Sequence, residues 1–377
     1  MHMPILCGLG LKSNRNVESE EKAMQIRDLV REDIRNLVPY EPHPYSNVIK
    51  LDANENPHCF PPEVITDIFN SLTGDVFTRY PDPLGEELRS ELGGIMGYSP
   101  DNIILGNGSD ELIQLVLQTF GGPGRSVAIP VPTFSMYKIH GQITGTQPVE
   151  IPRKGDFAID EDGLLNVMKQ PGTSVTFIAS PNNPTGTTVP VDTIKRILEQ
   201  SDALVVVDEA YIDFGGETCL SLLTEYKNLI ILRTFSKVAL AGLRLGYLVA
   251  DDEVVQELLK VKQPYNVNAF SQGAARAVLR NWQLFREQIE EIISERERLQ
   301  AELGKIKGIH VTPSKANFIL FKVPIPAPEL HERLLERGVL VRKNLGKTHG
   351  LEDCLRLTVG TRQENDTFME KLKSVLA

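Results

Sequence analysis

One lysine stands in a loop whose neighbours suit covalent chemistry. Lys237 follows Ser236 after the apolar run 229–232, and Arg244 comes seven positions later. An amine that forms a Schiff base needs a neutral fraction, which desolvation and neighbouring cations supply. Thr234, Ser236 and Arg244 offer the hydroxyl and guanidinium groups that bind a phosphate. The pattern predicts a carbonyl-binding lysine beside an anion site, and an ordinary surface lysine is the simpler alternative.

Two upstream segments place further polar side chains after strand-like runs. Residues 180–186 read Ser-Pro-Asn-Asn-Pro-Thr-Gly, and the apolar run 205–207 ends at Asp208, with Tyr211 close behind. A carboxylate such as Asp208 would keep the nitrogen of a pyridine ring protonated and so strengthen the ring as an electron sink. Asn183 and Tyr211 could hydrogen-bond the phenolic oxygen of that ring. Taken singly, Asp208 could be a loop acid and Asn183 part of an ordinary turn.

A glycine-rich segment at residues 106–111 precedes the apolar run 112–117 and predicts the start of a helix. Exposed amides at a helix N-terminus form an anion site. Gly108, Ser109 and Asp110 would then bind a phosphate together with the groups near the lysine. Serine and aspartate are also ordinary N-cap residues, so a purely structural role is the alternative.

The segments at 180–186, 208–211 and 236–244 resemble the pyridoxal-phosphate-dependent aminotransferases of fold type I. Within this group, the chain resembles the histidinol-phosphate aminotransferase family. The further segments that carry this resemblance are 35–40, 51–57, 79–81, 106–111 and 355–360. The resemblance extends from about residue 24 to residue 377.

The resemblance implies a pyridoxal 5′-phosphate cofactor attached through Lys237, which also moves a proton from the substrate to the cofactor. Asp208 would hold the ring nitrogen protonated, while Asn183 and Tyr211 would contact the ring oxygen. The resemblance implies that Tyr211 is catalytic together with Lys237 and Asp208, and that Asn183 also binds the substrate. An aromatic residue, usually tyrosine, lies flat on the cofactor ring in this family, and Phe134 aligns with it. Phenylalanine keeps the stacking face and loses the hydroxyl, and a plain core role is the alternative.

Tyr40 and Tyr80 lie in proline-flanked segments outside the main sheet pattern. The resemblance implies that both reach the partner subunit's site in a homodimer, Tyr80 toward the cofactor phosphate and Tyr40 toward the substrate. Arg342 and Arg356 stand at predicted strand ends. Arginine pairs with either phosphate or carboxylate, as a pocket for both a phosphorylated amine and glutamate requires. Surface salt bridges are the alternative for both arginines.

The reaction that the resemblance implies is a ping-pong transamination. L-Histidinol phosphate and 2-oxoglutarate would give imidazole-acetol phosphate and L-glutamate, a step of histidine biosynthesis. A lyase similar to threonine-phosphate decarboxylases and an aminotransferase for aromatic amino acids are the open alternatives. A non-enzymatic regulator with an aminotransferase-like domain is disfavoured, since the chain has neither the length nor the basic charge for an added DNA-binding module.

The composition favours a soluble protein with no nucleic-acid partner. The 377 residues include 40 Lys and Arg against 50 Asp and Glu, a formal net charge of −10, whereas a phosphate backbone demands a basic surface. The four cysteines and seven histidines show no metal-ligand spacing, and no apolar run approaches the roughly 18 residues of a membrane helix. Because the start lacks a signal-peptide pattern, we expect a cytoplasmic protein that acts on small molecules and does not contact a membrane.

The length predicts two domains, and strands that alternate with amphipathic helices between residues 103 and 250 predict an α/β fold with a mainly parallel sheet. The resemblance implies seven strands in that sheet. We expect a disordered extension at 1–23, an N-terminal arm and helix ending before Pro39 at 24–50, a large cofactor-binding domain at 51–265 and a smaller α+β domain at 266–377. Predicted strands are 126–131, 146–151, 174–179, 203–207, 229–233, 245–249, 309–312, 317–322, 339–342 and 355–359. Predicted helices are 109–120, 133–143, 161–169, 190–200, one or two within 268–305, 327–337 and 364–376.

Overall fold

The computed structural model describes residues 25–35, 37, 39, 45, 47–343, 345 and 350–376. The predicted extension at 1–23 and most of the proline-rich stretch at 40–45 therefore lie outside the described residues. The chain divides into two compact units, residues 1–40 and residues 41–377. Among the helices that the structure describes, none combines the length and the apolar character needed to cross a membrane.

The first unit has a short helix, α1, at Ile26–Leu29. The predicted N-terminal helix is wrong in length, because Val30 already has an extended backbone with φ −75° and ψ 135°. None of the α1 residues is buried. A helix gains most of its stability by burying an apolar face, so the periodic pattern that runs on to Leu37 does not prolong this one.

A seven-stranded sheet forms the centre of the second unit. Its strands are β2 (Ile103–Gly106), β3 (Ser126–Val131), β4 (Gln147–Pro152), β5 (Thr173–Ala179), β6 (Leu204–Asp208), β7 (Leu229–Thr234) and β8 (Gly246–Ala250). Their spatial order is β2-β8-β7-β6-β5-β3-β4. Strands β3 to β7 run parallel, and β8 is antiparallel to both neighbours. The predicted α/β fold with a mainly parallel seven-stranded sheet is confirmed.

Both faces of this sheet are buried. Val205 and Val207 of β6 belong to one apolar cluster, whereas Val206 between them belongs to a second cluster on the opposite face. Alternate residues of a strand point to opposite faces, so a strand covered on both sides is apolar throughout. This double burial fixes the carboxyl ends of the parallel strands, where the predicted site residues lie.

Helices cover the sheet and its edges. In the part of the chain up to residue 259 they are α2 (Pro62–Ser71), α3 (Glu86–Met96), α4 (Gly108–Phe120), α5 (Met136–Thr144), α6 (Glu161–Met168), α7 (Val191–Glu199) and α8 (Asp252–Leu259). Short 3-10 helices occur at Gly74–Phe77, Pro100–Asn102, Ile212–Phe214, Leu220–Thr224 and Ala241–Leu243. Helix α4 packs on β2, β7 and β8, which places its N-terminus beside the end of the sheet that carries the lysine loop.

The remaining elements combine two long helices with two small sheets. They are α9 (Ala269–Arg280), α10 (Trp282–Leu303), β9 (His310–Val311), β10 (Phe318–Lys322), α11 (Ala327–Leu335), β11 (Val339–Val341), β12 (Cys354–Thr358) and α12 (Arg362–Leu376). Strands β12, β10 and β9 form an antiparallel sheet in that order. Strand β1 (Ile49–Leu51) pairs in parallel with β11, so a segment from early in the chain joins these C-terminal elements.

Candidate active site

Lys237 lies in the turn that follows β7. The Thr234 hydroxyl, at the end of β7, accepts a hydrogen bond from the Ser236 amide at 3.1 Å and donates one to the Leu245 carbonyl at 3.1 Å. These bonds fix the turn against the chain that enters β8. The Lys237 ammonium lies 5.6 Å from the centroid of the Tyr211 ring. The predicted lysine and tyrosine are therefore neighbours, with the amine over an aromatic face.

Asp208 is the last residue of β6 and is only 5% exposed. One carboxylate oxygen accepts a hydrogen bond from the Tyr137 hydroxyl at 2.6 Å, and the other accepts one from the Ala210 amide at 3.0 Å. Burial raises the pKa of Asp208 to about 6, opposed by these two hydrogen bonds and by the charge of Lys237, while Asp110 adds to the rise. A carboxylate can accept about four hydrogen bonds, so Asp208 retains capacity for a ligand.

Tyr211 is held by groups from distant parts of the chain. Its hydroxyl oxygen accepts a hydrogen bond from the Asn54 side-chain amide at 3.0 Å, which leaves the hydroxyl proton available for donation. The Phe318 ring packs edge-on against the Tyr211 ring at 5.1 Å. Asn54 is 1% exposed and its backbone amide donates to the Thr358 hydroxyl at 3.0 Å. Asn54 was not predicted as a site residue, although its segment contributed to the family resemblance.

Arg356, on β12, joins the small sheet to the large one. Its Nη1 donates to the side-chain oxygen of Asn183 at 2.6 Å, and its Nη2 donates to the carbonyl of Asp52. Asn183 lies in the loop after β5, so the predicted cofactor contact and the predicted substrate arginine meet. Arg342 lies opposite Arg356 in an antiparallel bridge whose two backbone hydrogen bonds are each 3.0 Å. The structure thus brings the two predicted arginines together.

The predicted phosphate groups come from adjacent strands. Gly246 at the start of β8 pairs with Gly106 on one side and with Thr234 on the other. A Cβ atom on Gly246 would lie 2.8 Å from the amide nitrogen of Ser109, so glycine allows the N-terminus of α4 to approach the sheet. The amides of this helix start, which lack partners within the helix, and the hydroxyl groups of Thr234 and Ser236 therefore lie at one end of the sheet.

Arg244 reaches over the same helix start. Its Nη2 donates to Asp110 Oδ2 at 2.9 Å, and its side chain is half exposed. A Cβ atom on Gly108, whose φ is 74°, would lie 2.8 Å from the same Nη2. A larger residue at position 108 would both strain the backbone and displace the guanidinium. The left-handed backbone conformation is the main reason that glycine is favoured at this position, because the half-exposed end of Arg244 could move aside.

Phe134 lies after β3 and is partly buried. Its ring meets the Tyr137 ring edge-on, with centroids 5.7 Å apart and an interplanar angle of 86°. Tyr137 itself is fully buried and stacks on Phe177 at 4.8 Å. Tyr137 was missed in the sequence because it occurs in an amphipathic helix pattern, where a buried aromatic residue is ordinarily core. A signal in the sequence that Tyr137 belongs to the site was its position three residues after Phe134, the predicted stacking residue.

Of the two tyrosines that the resemblance assigns to the partner's site, the structure describes Tyr80, which is not part of this cluster. Tyr80 is 83% exposed, and its ring stacks on that of Tyr265 at 4.7 Å. Tyr40 lies outside the described residues. The described cluster is thus built from the large sheet, the small sheet and the segment after β1.

The donor set fits the cofactor that the resemblance implies. Pyridoxal phosphate requires an amine for its aldehyde, cationic and amide donors for its phosphate, and a carboxylate for its ring nitrogen. Lys237, Arg244 with the α4 N-terminus, and Asp208 are those groups. Burial raises the pKa of the Asp208 carboxyl group, so a cationic ring nitrogen bound beside it would stabilise its ionised form.

Comparison with known proteins shows the family. The family model described as "Aminotransferase class I and II" matches residues 46–372. Histidinol-phosphate aminotransferase 1 of Carboxydothermus hydrogenoformans is 47% identical over 92% of this chain and 98% of its own, and the histidinol-phosphate aminotransferase of Thermoanaerobacter sp. strain X514 is 43% identical over 93% and 99%. The crystal structure of histidinol-phosphate aminotransferase from Sinorhizobium meliloti in complex with pyridoxal-5′-phosphate superposes with a TM-score of 0.83 at 25% identity, covering 92% of this chain and 98% of that one. The chain is thus a pyridoxal-phosphate-dependent enzyme that belongs to the class I and II aminotransferases and, within them, to the histidinol-phosphate aminotransferase family.

Proposed function

We propose that the protein transfers the amino group of L-histidinol phosphate to 2-oxoglutarate, forming imidazole-acetol phosphate and L-glutamate. The proposal rests on the hydrogen bond from Arg356 to Asn183. This bond places the arginine proposed to bind the anionic end of the substrate next to the asparagine proposed to contact the cofactor ring. Relatives that bear the name histidinol-phosphate aminotransferase match this chain along 92–93% of its length. Both substrates are small molecules, and the step belongs to histidine biosynthesis.

The residues of the large sheet would hold the cofactor. When bound, pyridoxal phosphate supplies an electron sink for the carbon that exchanges its amino group. Arg244, the hydroxyls of Thr234 and Ser236, and the amides at Ser109 and Asp110 would bind its phosphate. Asp208 would hold a proton at its ring nitrogen, and Phe134 would lie against its ring.

Lys237 would move the proton that the reaction displaces. Its amine lies over the Tyr211 ring, where it can serve as the attachment point of the cofactor and, once released, as a base at the substrate's reacting carbon. The Tyr211 hydroxyl oxygen accepts a hydrogen bond from Asn54, so its own proton remains available for donation. Tyr211 would donate this proton to the cofactor's ring oxygen, which would also accept a hydrogen bond from Asn183.

Arg356 and Arg342 would bind the anionic end of either substrate. A single pocket must accept the phosphate of histidinol phosphate and a carboxylate of 2-oxoglutarate, and guanidinium groups pair with both. The two arginines face each other across the bridge between β11 and β12, which offers two cations at one position. Asn183 would orient Arg356 toward the cofactor.

We also propose a homodimer with shared sites. Phe77 is 80% exposed and the stacked pair of Tyr80 and Tyr265 lies on the surface, and exposed aromatic groups of this kind favour a protein partner. Tyr80 would then reach the cofactor phosphate of the partner's site, and Tyr40 its substrate. The proposed domains are 51–265 and 266–377, and the proposed location is the cytoplasm.

A substrate panel tests the reaction. The cofactor-loaded protein is incubated with 2-oxoglutarate and histidinol phosphate, phenylalanine, tyrosine or threonine phosphate, and glutamate and carbon dioxide are measured. We expect glutamate formation with the highest kcat/KM for histidinol phosphate. Carbon dioxide released from threonine phosphate without glutamate would establish the lyase instead, and a preference for phenylalanine or tyrosine would establish an aromatic aminotransferase.

Subunit mixing tests the shared site. We expect the Lys237→Ala and Tyr80→Phe proteins each to be inactive or impaired, whereas a heterodimer of the two would contain one site with both residues intact. We expect partial recovery of activity after subunit exchange. The control pairs Lys237→Ala with Asp208→Ala, two residues of the same subunit's site, and should recover no more than the separate proteins. Full activity of a monomer would contradict the proposal.

A further inference from the structure

Tyr137 is a buried hydroxyl that the proposed reaction does not yet use. The residue is fully buried, and its hydroxyl donates to Asp208 Oδ2 at 2.6 Å. Tyr137 lies in the first turn of α5, and Asp208 ends β6, so the bond links a helix to the strand end. A hydrogen bond to a charged carboxylate is short and about twice as strong as one between neutral groups.

The ring of Tyr137 is fixed independently of its hydroxyl. It stacks on Phe177 of β5 with centroids 4.8 Å apart and an interplanar angle of 7°. Phe134 meets the same ring edge-on at 5.7 Å. The ring therefore supports the proposed stacking residue on one edge, while its hydroxyl supports the carboxylate. A substitution that removes only the hydroxyl leaves both ring contacts possible.

We infer that Tyr137 is a positioning residue that keeps the Asp208 carboxylate ionised and aimed at the pyridine nitrogen of the cofactor. The inference rests on the proposed role of Asp208. Without the hydroxyl donor, the carboxylate would lose one of its two hydrogen bonds from protein groups, and the remaining donor is the Ala210 amide. A carboxylate that holds its proton more tightly competes with the ring nitrogen for it and weakens the electron sink.

The charged groups around this pair define how it titrates. Asp110, from α4, and Lys237, after β7, act on Asp208 with opposite sign. Burial raises the pKa of Tyr137 well above its usual value, and Asp208 and Tyr211 raise it further while Arg153, after β4, lowers it. Tyr137 therefore stays a hydrogen-bond donor throughout the range in which Asp208 titrates. Loss of its hydroxyl should raise the pKa of Asp208, which lies at about 6, by about one pH unit.

Tyr137→Phe in the apoprotein tests the inference without turnover. The probe is pyridoxamine phosphate, which has no aldehyde and so does not react with Lys237, and its dissociation constant is measured from pH 5 to pH 8. Protonation of Asp208 weakens binding of a protonated ring, so affinity falls as the pH falls through the pKa of Asp208. This fall in affinity at low pH, the acidic limb of the plot of affinity against pH, should move to higher pH in Tyr137→Phe. Binding should be roughly fivefold weaker than in the wild type at pH 6 and less than twofold weaker at pH 8. Infrared titration of the Asp208 carboxyl band, identified by subtraction of Asp208→Asn, should show the same displacement.

Two controls separate this inference from its premise. Tyr98→Phe removes a hydroxyl that donates to the carbonyl of Leu220, away from the site, and should leave the acidic limb unmoved. Asp208→Asn should remove the part of that limb that depends on Asp208 and leave only the part due to the phosphate of the probe, whose second pKa is about 6. If it does not, the proposed role of Asp208 fails. If it does, and Tyr137→Phe leaves both the limb and the infrared titration as in the wild type, only the inference about Tyr137 is overturned.

A second substitution keeps the test decisive if Tyr137→Phe does not yield folded protein. Site-specific replacement of Tyr137 by 3-fluorotyrosine retains the ring and makes the hydroxyl a stronger donor. The acidic limb should then move to lower pH, opposite to the displacement expected for phenylalanine. An unchanged limb in the fluorinated protein would overturn the inference as well.

Discussion

The candidate site contains two buried charged side chains from two different sheets, and they are held in different ways. Asp208 ends β6 of the large sheet, and its donor Tyr137 lies on a helix packed on the same sheet. Arg356 lies on β12 of the small sheet, and it reaches Asn183 after β5 and the backbone of Asp52 after β1. The carboxylate is thus positioned within one core, whereas the guanidinium bridges separate parts of the chain.

The difference separates two kinds of function. The large sheet is buried on both faces, so the groups proposed for the cofactor are fixed before any ligand arrives. The groups proposed for the substrate depend on how the small sheet lies against the large one. We therefore expect substitutions on the large sheet to reduce turnover and those around Arg356 to weaken substrate binding first. Substitutions at the cofactor end of the site, Lys237 and Asp208, and at its substrate end, Arg356 and Arg342, test this division.

Lys237→Ala should have the largest effect. Proton transfer by a positioned base contributes about 10²–10⁴-fold, and the variant loses the cofactor attachment as well, so turnover should fall by at least about 10⁴-fold. Borohydride reduction followed by peptide mapping should place the cofactor on Lys237 in the wild type and on no lysine in the variant. Lys262→Ala, on the α4 side of the molecule, should keep the label. A wild-type adduct on any other lysine would contradict the proposed attachment.

Asp208→Asn should have the next largest effect. The amide keeps the shape of the side chain but cannot stabilise a protonated ring nitrogen, so turnover should fall by about 10²–10³-fold. Cofactor should remain bound, since Arg244 and the α4 N-terminus are unchanged. Absorbance of the bound cofactor and steady-state rates measure the two effects separately. Asp202→Asn, at the exposed start of the same segment, serves as the control; near-normal turnover in Asp208→Asn would make Asp208 a structural acid.

Arg356→Gln tests the substrate end of the site. Loss of a guanidinium that pairs with an anion should raise KM for histidinol phosphate about 10- to 100-fold, with a smaller fall in kcat. Arg342→Gln should raise KM in the same direction, because its guanidinium would pair with the same anion. Arg333→Gln, which breaks a surface pair with Glu329, should change neither constant. A fall in kcat at unchanged KM would show that Arg356 affects turnover rather than substrate binding, and would contradict the proposed division between the two ends of the site.

The cofactor end of the site could be predicted from the sequence to a greater extent than the substrate end. The runs before Asp208 and Lys237 are apolar strands followed by polar residues, and parallel strands bring such ends together wherever the sheet forms. All predicted strands of the large sheet are observed within about two residues of their predicted bounds, and β2 was missed because four residues carry little pattern. Local patterns were sufficient for these elements.

Contacts between distant segments were not predictable from pattern. Asn54 to Tyr211 and Arg356 to Asn183 join residues separated by more than 150 positions, and no periodicity specifies such pairs. Tyr137 was missed for a related reason, since burial alone makes an aromatic residue in a helix look like core. The short α1 shows the opposite error, because a periodic pattern without a surface to cover it does not sustain a helix.

The smallest effect on activity is expected where the small sheet is held in place. Glu295, on α10, is 7% exposed and accepts hydrogen bonds from Arg298, Arg362 and Asn365. Asn365 in turn accepts a hydrogen bond from the Gly360 amide, just after β12. This network therefore supports the strand that carries the substrate arginine without contacting the proposed site.

Glu295→Gln should change stability rather than chemistry. Burial alone would raise the pKa of Glu295, but the hydrogen bonds from Arg298, Asn365 and Arg362 lower it to about 2 from 4.5. A carboxylate whose pKa is depressed on folding stabilises the protein above its unfolded-state pKa, and that stabilisation is lost as the pH falls from about 4.5 through 2. At pH 7 the variant should lose about 2 kcal/mol in the free energy of unfolding, and the difference should shrink as the pH approaches 3.

Denaturant unfolding of the cofactor-loaded protein at pH 7, 4 and 3 measures this difference, with Glu297→Gln on the exposed side of α10 as the control. If kcat remains near the wild-type value while the free energy of unfolding falls, the network holds the small sheet without taking part in the reaction. A rise in KM that accompanies the loss of stability would show that the position of β12 itself sets substrate affinity. A fall in kcat at unchanged KM would instead couple this network to the large sheet, and the two ends of the site would then not be separable.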